Sequence, residues 1–265
     1  MDSFYIAATG MRAHQEQIDS IARNVANVNT VGYKRETVAF ATVVAQSGVA
    51  QSGVDGPLAT DGVAGVSRSV GYGAVAQTHL SMASGDPRVT EDPLDLAIDG
   101  PGFVEVLRED GSPAFTRSLQ LRLDADRRLV AAASGAALRA DIVVPQEALE
   151  LRIGRDGRVL AVLDTAGRTA ELGQIPLVGF ANAAGLRPVG DNLFVATPES
   201  GEVREGRATE EGLGAFRQGV VEGSNVKLVD ELVALMLAQR AFEMNSRVVQ
   251  AADRMLSTTN DLYRP

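Results

Sequence analysis

The chain has two imidazoles, His14 and His79, and imidazole is the side chain best suited to acid–base or metal chemistry near neutral pH. Neither has a second histidine at metal-ligand spacing. Neither lies near a G-x-S-x-G elbow, through which a serine nucleophile would recruit it. Asp164-Thr165-Ala166-Gly167 approaches the Asp-Thr-Gly of an aspartic protease, but departs from it in the middle and sits where a turn is expected. "GYGAVA" at 71–76 matches G-x-G-x-x-A, yet a strand-like run follows it where a dinucleotide site needs a helix. Asp124 and Asp126 begin like a calcium loop, but Arg127 and Arg128 replace the next ligands and no glycine stands at the sixth position. With no cysteine, thiol catalysis, thiolate zinc sites, iron–sulfur clusters and disulfides are excluded. The residues therefore suggest no catalytic site, cofactor site or metal site, and the expectation is a protein that is not an enzyme.

The elements that could position anything else come next. The chain has 265 residues, enough for one large domain or two smaller ones. A net charge of −9 argues against nucleic acid, which calls for clustered Lys and Arg. No run of about 18 apolar residues occurs, so a membrane-inserted helix is not expected. The opening "MDSFYIAATGMRAHQEQ" lacks the basic and apolar regions of a cleaved secretory signal.

Both ends read as helices. Phe4, Ala7, Met11, His14, Ile18, Ile21, Val25 and Val28 repeat at alternating gaps of three and four, an a/d seam. It closes in "NVANVNTVGYKRE", where Asn24 and Asn27 share a face and Asn29, Thr30 and Gly32 break the helix. At the other end Leu228, Leu232, Leu235, Gln239, Phe242, Asn245, Val249, Ala252, Leu256 and Tyr263 follow similar spacing, with Ser224 or Asn225 as the cap. A narrow stripe needs a partner, so the two terminal helices are expected to pair as a coiled-coil-like unit. Leu237, Ala238, Met244 and Val248 would then flank the pair and ask for further copies of the chain. His14, Gln239 and Asn245 are polar seam residues of the kind that fix register.

The middle is punctuated by turns. Asp110-Gly111 and Asp156-Gly157 each sit between strand-like runs, as hairpins require. "LQLRLDADRRLVA", "GQIPLVGF" and "DNLFVAT" add further strands. The reading is an α+β fold: an N-terminal helix over 1–33, an extended linker over 34–76, a mainly antiparallel β domain over 77–219, and a C-terminal helix over 220–265. On residues alone, a binding or adhesion module with a helical stalk and, more remotely, a wall-cutting hydrolase stay open.

Three motifs then resemble one family in order. "IAATGMRAHQEQIDSIARNVANVNTVGYKR" is similar to the N-terminal segment of the bacterial flagellar rod and hook proteins. "LAIDGPGFVEV" resembles the opening of their β domain, and "GVVEGSNVKLVDELVALMLAQRAFEMNSRVVQAADRML" their C-terminal segment. Arg23, Lys227 and Val104 differ from the residues usual in the family. Length, the 45–76 stretch and "ALELRIGRDGRV" look most like the members that build the distal rod, with the single-β-domain members of the proximal rod next.

The resemblance implies a structural subunit that self-assembles helically into a tubular drive shaft carrying torque from motor to hook. It implies partners: further copies of the chain, the proximal rod proteins, the hook protein, the surrounding ring proteins and the flagellar export apparatus. It implies export without a cleaved signal and residence in the periplasmic part of the basal body. The termini are expected to order on assembly. The seam residues named above, apart from Ala7, Ala252 and Tyr263, are the expected self-assembly residues, together with Asn24, Asn27, Asn29, Gly32 and Asn225.

Overall fold

A computed structural model describes residues 2–45, 71–164, 167–210 and 212–262. The Gly/Ser-rich part of the expected connector, 46–70, lies outside the described residues, as does Tyr263. The chain divides into two compact units: Met1–Arg23, Thr37–His79 and Val229–Pro265 form one, Asn24–Glu36 and Leu80–Leu228 the other.

The first unit holds most of two helices, α1 (Asp2–Ala26) and α2 (Leu228–Leu262), and of two paired strands, β1 (Glu36–Ala45) and β2 (Gly71–Leu80). The paired strands stand at the two ends of the stretch read from sequence as connector. The expected coiled-coil-like unit is not what forms. Among the described residues no heptad seam joins α1 to α2. They come together at Gly10, where an added Cβ would lie 3.3 Å from Asn245 Nδ2.

The inward line of α1 passes through small or polar residues, Gly10, Ala13, Gln17, Ser20 and Asn24. Among the described side chains of the expected seam, Ala7 and Ile21 are fully buried; Met11, His14, Ile18, Val25 and Val28 are half-buried. The physical reason is size. Glycine and alanine let another backbone approach closely, whereas a search for large apolar residues selects the neighbouring line. His14 instead packs its ring on Phe40 of β1, with centroids 5.5 Å apart.

On α2 the least exposed line is Glu231, Leu235, Ala238, Phe242, Asn245, Val249 and Ala252. It agrees with the expected seam from Phe242 to Ala252 and at Leu235. It replaces Leu228, Leu232 and Gln239, all exposed, by Glu231 and Ala238. A fully buried glutamate in the first turn is placed where the helix N-terminus favours negative charge.

The second unit is β-rich and antiparallel. Its largest sheet has nine strands. The central hairpin is β5 (Val104–Leu107) and β6 (Pro113–Thr116), closed by Asp110, whose carboxylate accepts from Ser112 N at 2.9 Å. β7 (Leu119–Leu123) pairs β8 (Leu129–Ala131), and β9 (Ala137–Leu138) bridges back to β5. β4 (Asp95–Asp99) lies between β7 and β17 (Ala215–Gln218), and β14 (Arg187–Gly190) with β15 (Leu193–Val195) extend the other side.

A separate sheet stacks β10 (Glu150–Ile153), β11 (Arg158–Val162) and β12 (Thr169–Gln174). Its Asp156-Gly157 turn needs glycine: φ is +85°, and a Cβ there would meet Ile175 O at 2.5 Å. Two short pairs complete the unit: β13 (Leu177–Gly179) with β16 (Arg204–Gly206), and β3 (Pro87–Val89) with β18 (Val220–Glu222). The hairpins expected at Asp110-Gly111 and Asp156-Gly157, and the strands expected at 119–131, in "GQIPLVGF" and in "DNLFVAT", are all present.

Three apolar clusters form the core of this unit. The largest gathers Leu96, Leu119, Leu129, Val159, Leu177 and Phe216 among others. In the second, Phe103 and Phe115 each meet Phe180 edge to face, and Phe194 meets Phe103 in the same way. The third is small, around Val106 and Ala114.

Candidate functional site

Within the second unit, the arm Asn24–Glu36 lies on the segments 81–86 and 222–226 and on Arg117. The chain passes between its two units beside Asn24, Glu36, Leu80 and Leu228, so this region collects the residues next to every passage.

The arm is built around amides. Beyond α1, Asn27 closes a turn: its main-chain carbonyl accepts from Thr30 N at 3.1 Å and its side-chain oxygen from Thr30 Oγ1 at 3.1 Å. α1 stops at Ala26, earlier than the sequence suggested, and Gly32, with φ +71°, turns the arm beyond it without capping the helix. The Gly32 N–H donates to Glu222 O at 2.8 Å, and a Cβ would press on Ser118 at 3.0 Å. Asn24 then reaches past the turn to Glu36, donating Nδ2–H to its carbonyl and accepting its N–H, each at 2.8 Å. Tyr33 donates its hydroxyl proton to the same Asn24 oxygen at 3.3 Å.

Asn225 works in the same way from the other end. Its Oδ1 accepts from Arg35 N at 2.7 Å, and its Nδ2 donates to Ser81 O at 2.8 Å and Ala83 O at 2.9 Å. Neither expected cap serves α2: the helix begins at Leu228, and Ser224 Oγ accepts from Val226 N at 3.3 Å ahead of it. Asn192, at the tip of the β14–β15 hairpin, donates to Val31 O at 2.7 Å. The amides of Asn24 and Asn225 thus bridge main chain within the chain itself. Asn29 is exposed.

Beneath the arm lies a buried ion triad. Glu222 Oε1 accepts from Lys34 Nζ at 2.6 Å and Glu222 Oε2 from Arg117 Nε at 2.8 Å, with all three side chains at most 4% exposed. Gly85 N donates to Oε1 at 2.9 Å. Lys34 also donates to Ala83 O at 2.9 Å. The Arg117 guanidinium spreads its other protons over Gly102 O, Ile98 O and Gly100 O at 2.9–3.2 Å. The site is tight as well as charged: a Cβ on Gly85 would fall 2.0 Å from Gly223 O.

Two cations share one carboxylate, and this sets the proton affinities. Burial pushes the Glu222 carboxyl up, but Arg117, Lys34 and the hydrogen bonds from Lys34 and Gly85 outweigh it and hold it below its ordinary value. For Lys34, burial lowers the ammonium, Glu222 opposes it and the Arg117 charge adds to the lowering, so the net direction is down. Charged hydrogen bonds of this length are the strong kind, and no buried side-chain polar atom among the described residues lacks a partner.

The structure therefore gathers Asn24, Asn27, Gly32 and Asn225 of the expected residues into one place. Val25 and Val28 stand half-buried beside them. Phe4, Met11, His14, Ile18 and Ile21 lie along α1, and Leu232, Leu235, Gln239, Phe242, Asn245, Val249 and Leu256 along α2. Leu228 begins that helix. Sequence reasoning missed the charged members. Glu222 and Arg117 lie 105 residues apart with no local pattern to link them.

Family models match in three blocks. "Flagella basal body rod protein" covers 4–34, "Flagellar hook protein FlgE/F/G D1 domain" 97–161, and "Flagellar basal body rod FlgEFG protein C-terminal" 217–262. Among curated proteins, the chain is 36% identical over 267 residues to "Flagellar basal-body rod protein FlgG" of Borreliella burgdorferi, covering 100% of this chain and 99% of that one. It is 37% identical to the protein of that name in Caulobacter vibrioides, with 99% of both chains covered. Against the one in Bacillus subtilis identity is 34%, again over 99% of both. The triad spans all three matched blocks: Lys34 in the first, Arg117 in the second, Glu222 in the third.

Proposed function

The chain belongs to the flagellar basal-body rod protein family, and we propose that it is a distal rod subunit that assembles helically with copies of itself into a tubular drive shaft. The observation that carries this reading is the collinear relation, end to end, to proteins named for the basal-body rod. The family is one of structural rod proteins of the flagellar basal body. The finer parts are our own: that the subunit transmits torque, is not an enzyme, leaves the cytoplasm through the flagellar export apparatus without a cleaved signal, and meets proximal rod proteins, hook protein and ring proteins in the periplasm.

One feature of α2 supports assembly through it. Val229, Val233, Leu237, Met244, Val248 and Met255 are exposed. At about 100° per residue they fall within an arc of about 100°, turned well away from the Glu231–Ala252 line. Exposed apolar stripes of this extent mark association surfaces. Helical polymers require a heterologous contact of this kind, which continues from copy to copy. Cryo-electron microscopy of the assembled particle tests the reading: open-ended straight tubes are expected, and a discrete dimer would overturn it.

A further inference from the structure

The arm Asn24–Glu36 differs from the rest of its unit in what holds it. No residue of 24–36 belongs to the three apolar clusters. Hydrogen bonds and one buried ion pair tie it to segments that come from three distant parts of the chain. Burial of apolar area is additive and tolerant, whereas a buried charge depends on a single partner.

The triad is asymmetric. If the carboxylate of Glu222 is removed, Arg117 keeps three main-chain acceptors, Gly102 O, Ile98 O and Gly100 O, all within the β domain. Lys34 keeps Ala83 O alone. Its ammonium, 1% exposed, is then left without a counter-ion beside the like charge of Arg117. The unfavourable energy falls on the arm and not on the sheet. The main-chain bond from Gly32 to Glu222 O runs to the same residue, so the arm also reads the position of β18 directly.

We propose that Glu222 is a latch: its carboxylate decides whether the Asn24–Glu36 arm is docked on β18, while the nine-stranded sheet keeps its fold in either state. The end of α1 and the approach to α2 are thereby ordered together, by one residue. This is a property of the single subunit and goes beyond the rod reading.

Hydrogen–deuterium exchange on the full-length chain before assembly tests it. In Glu222→Gln the amides of 24–36 should exchange at least tenfold faster, with β5 and β7 unchanged. The double variant Lys34→Met/Glu222→Gln, which buries no unpaired ammonium, should return the arm toward the wild-type rate. Unchanged arm rates, or sheet rates that rise in step with the arm, overturn the proposal. If Glu222→Gln gives no folded protein, the carboxylate supports the sheet as well as the arm, and the proposal is overturned. Polymerisation is not measured, so the outcome is independent of the proposed function.

Discussion

Asn24 forms two hydrogen bonds to Glu36, one to its carbonyl and one from its N–H, each 2.8 Å long, across twelve residues of chain. A side-chain amide here takes the place of a neighbouring strand, because it offers one donor and one acceptor as a peptide does. The amide is 1% exposed, so water cannot substitute for it. Asn24→Asp keeps shape and acceptor but loses the donor, and sets a carboxylate against the Glu36 carbonyl. We expect a loss of about 1–3 kcal/mol, read as a lower urea midpoint with unchanged slope. A midpoint equal to wild type would show that the pairing contributes nothing.

The Glu222 carboxyl gives a pH dependence with a definite sign. Its folded value lies below the ordinary 4.5, so between the two values the unfolded chain binds more protons and stability rises with pH. The contribution is complete above 4.5 and is lost as pH falls through the folded value. Lys34, also lowered, acts in its own window below its ordinary 10.5, where stability again rises with pH. The stability difference between wild type and Glu222→Gln should therefore be constant around neutrality and shrink in acid. Urea titrations at successive pH values measure it, and a difference that stays constant into strong acid would refute the assignment.

Arg117→Lys separates charge from geometry. Lysine keeps the charge beside Glu222 but lacks the planar fork that reaches three main-chain carbonyls at once. Leaving buried carbonyls unsatisfied costs about 1–3 kcal/mol each, so thermal denaturation should show a clear fall in midpoint. Because Arg117 sits among core strands, this variant, unlike Glu222→Gln, should raise exchange rates in the sheet itself.

Local patterns were legible in the sequence where one side chain carries the signal. The Asp-Gly turns announced their hairpins, since few residues accept φ near +80°. The inward line of α1 was not legible, because Ala13, Ser20 and Asn24 look unremarkable beside Met11 and Ile18. Nor was the start of the α2 line, where a buried glutamate occupies a position that a hydropathy count gives to Leu228 or Leu232. The triad could not be read at all. Lys34 and Glu222 are 188 residues apart, and only the folded sheet brings them to 2.6 Å.

The exposed stripe of α2 supplies a test of assembly apart from folding. Leu237 and Met244 are 63% and 64% exposed, so a charge at either site meets water in the free subunit and leaves its stability within about 0.5 kcal/mol. In a packed tube the same charge would be stripped of water with no partner, at a penalty of several kcal/mol per contact. That penalty recurs at every copy along the polymer. Leu237→Glu and Met244→Glu should therefore melt at the wild-type temperature and fail to form tubes, and a strain carrying either in place of the wild-type gene should not swim. Leu235→Glu is the control: it lies on the inward line of the helix and should lower the melting temperature of the free subunit as well. Normal tubes from both outward variants would remove α2's exposed face from the interface.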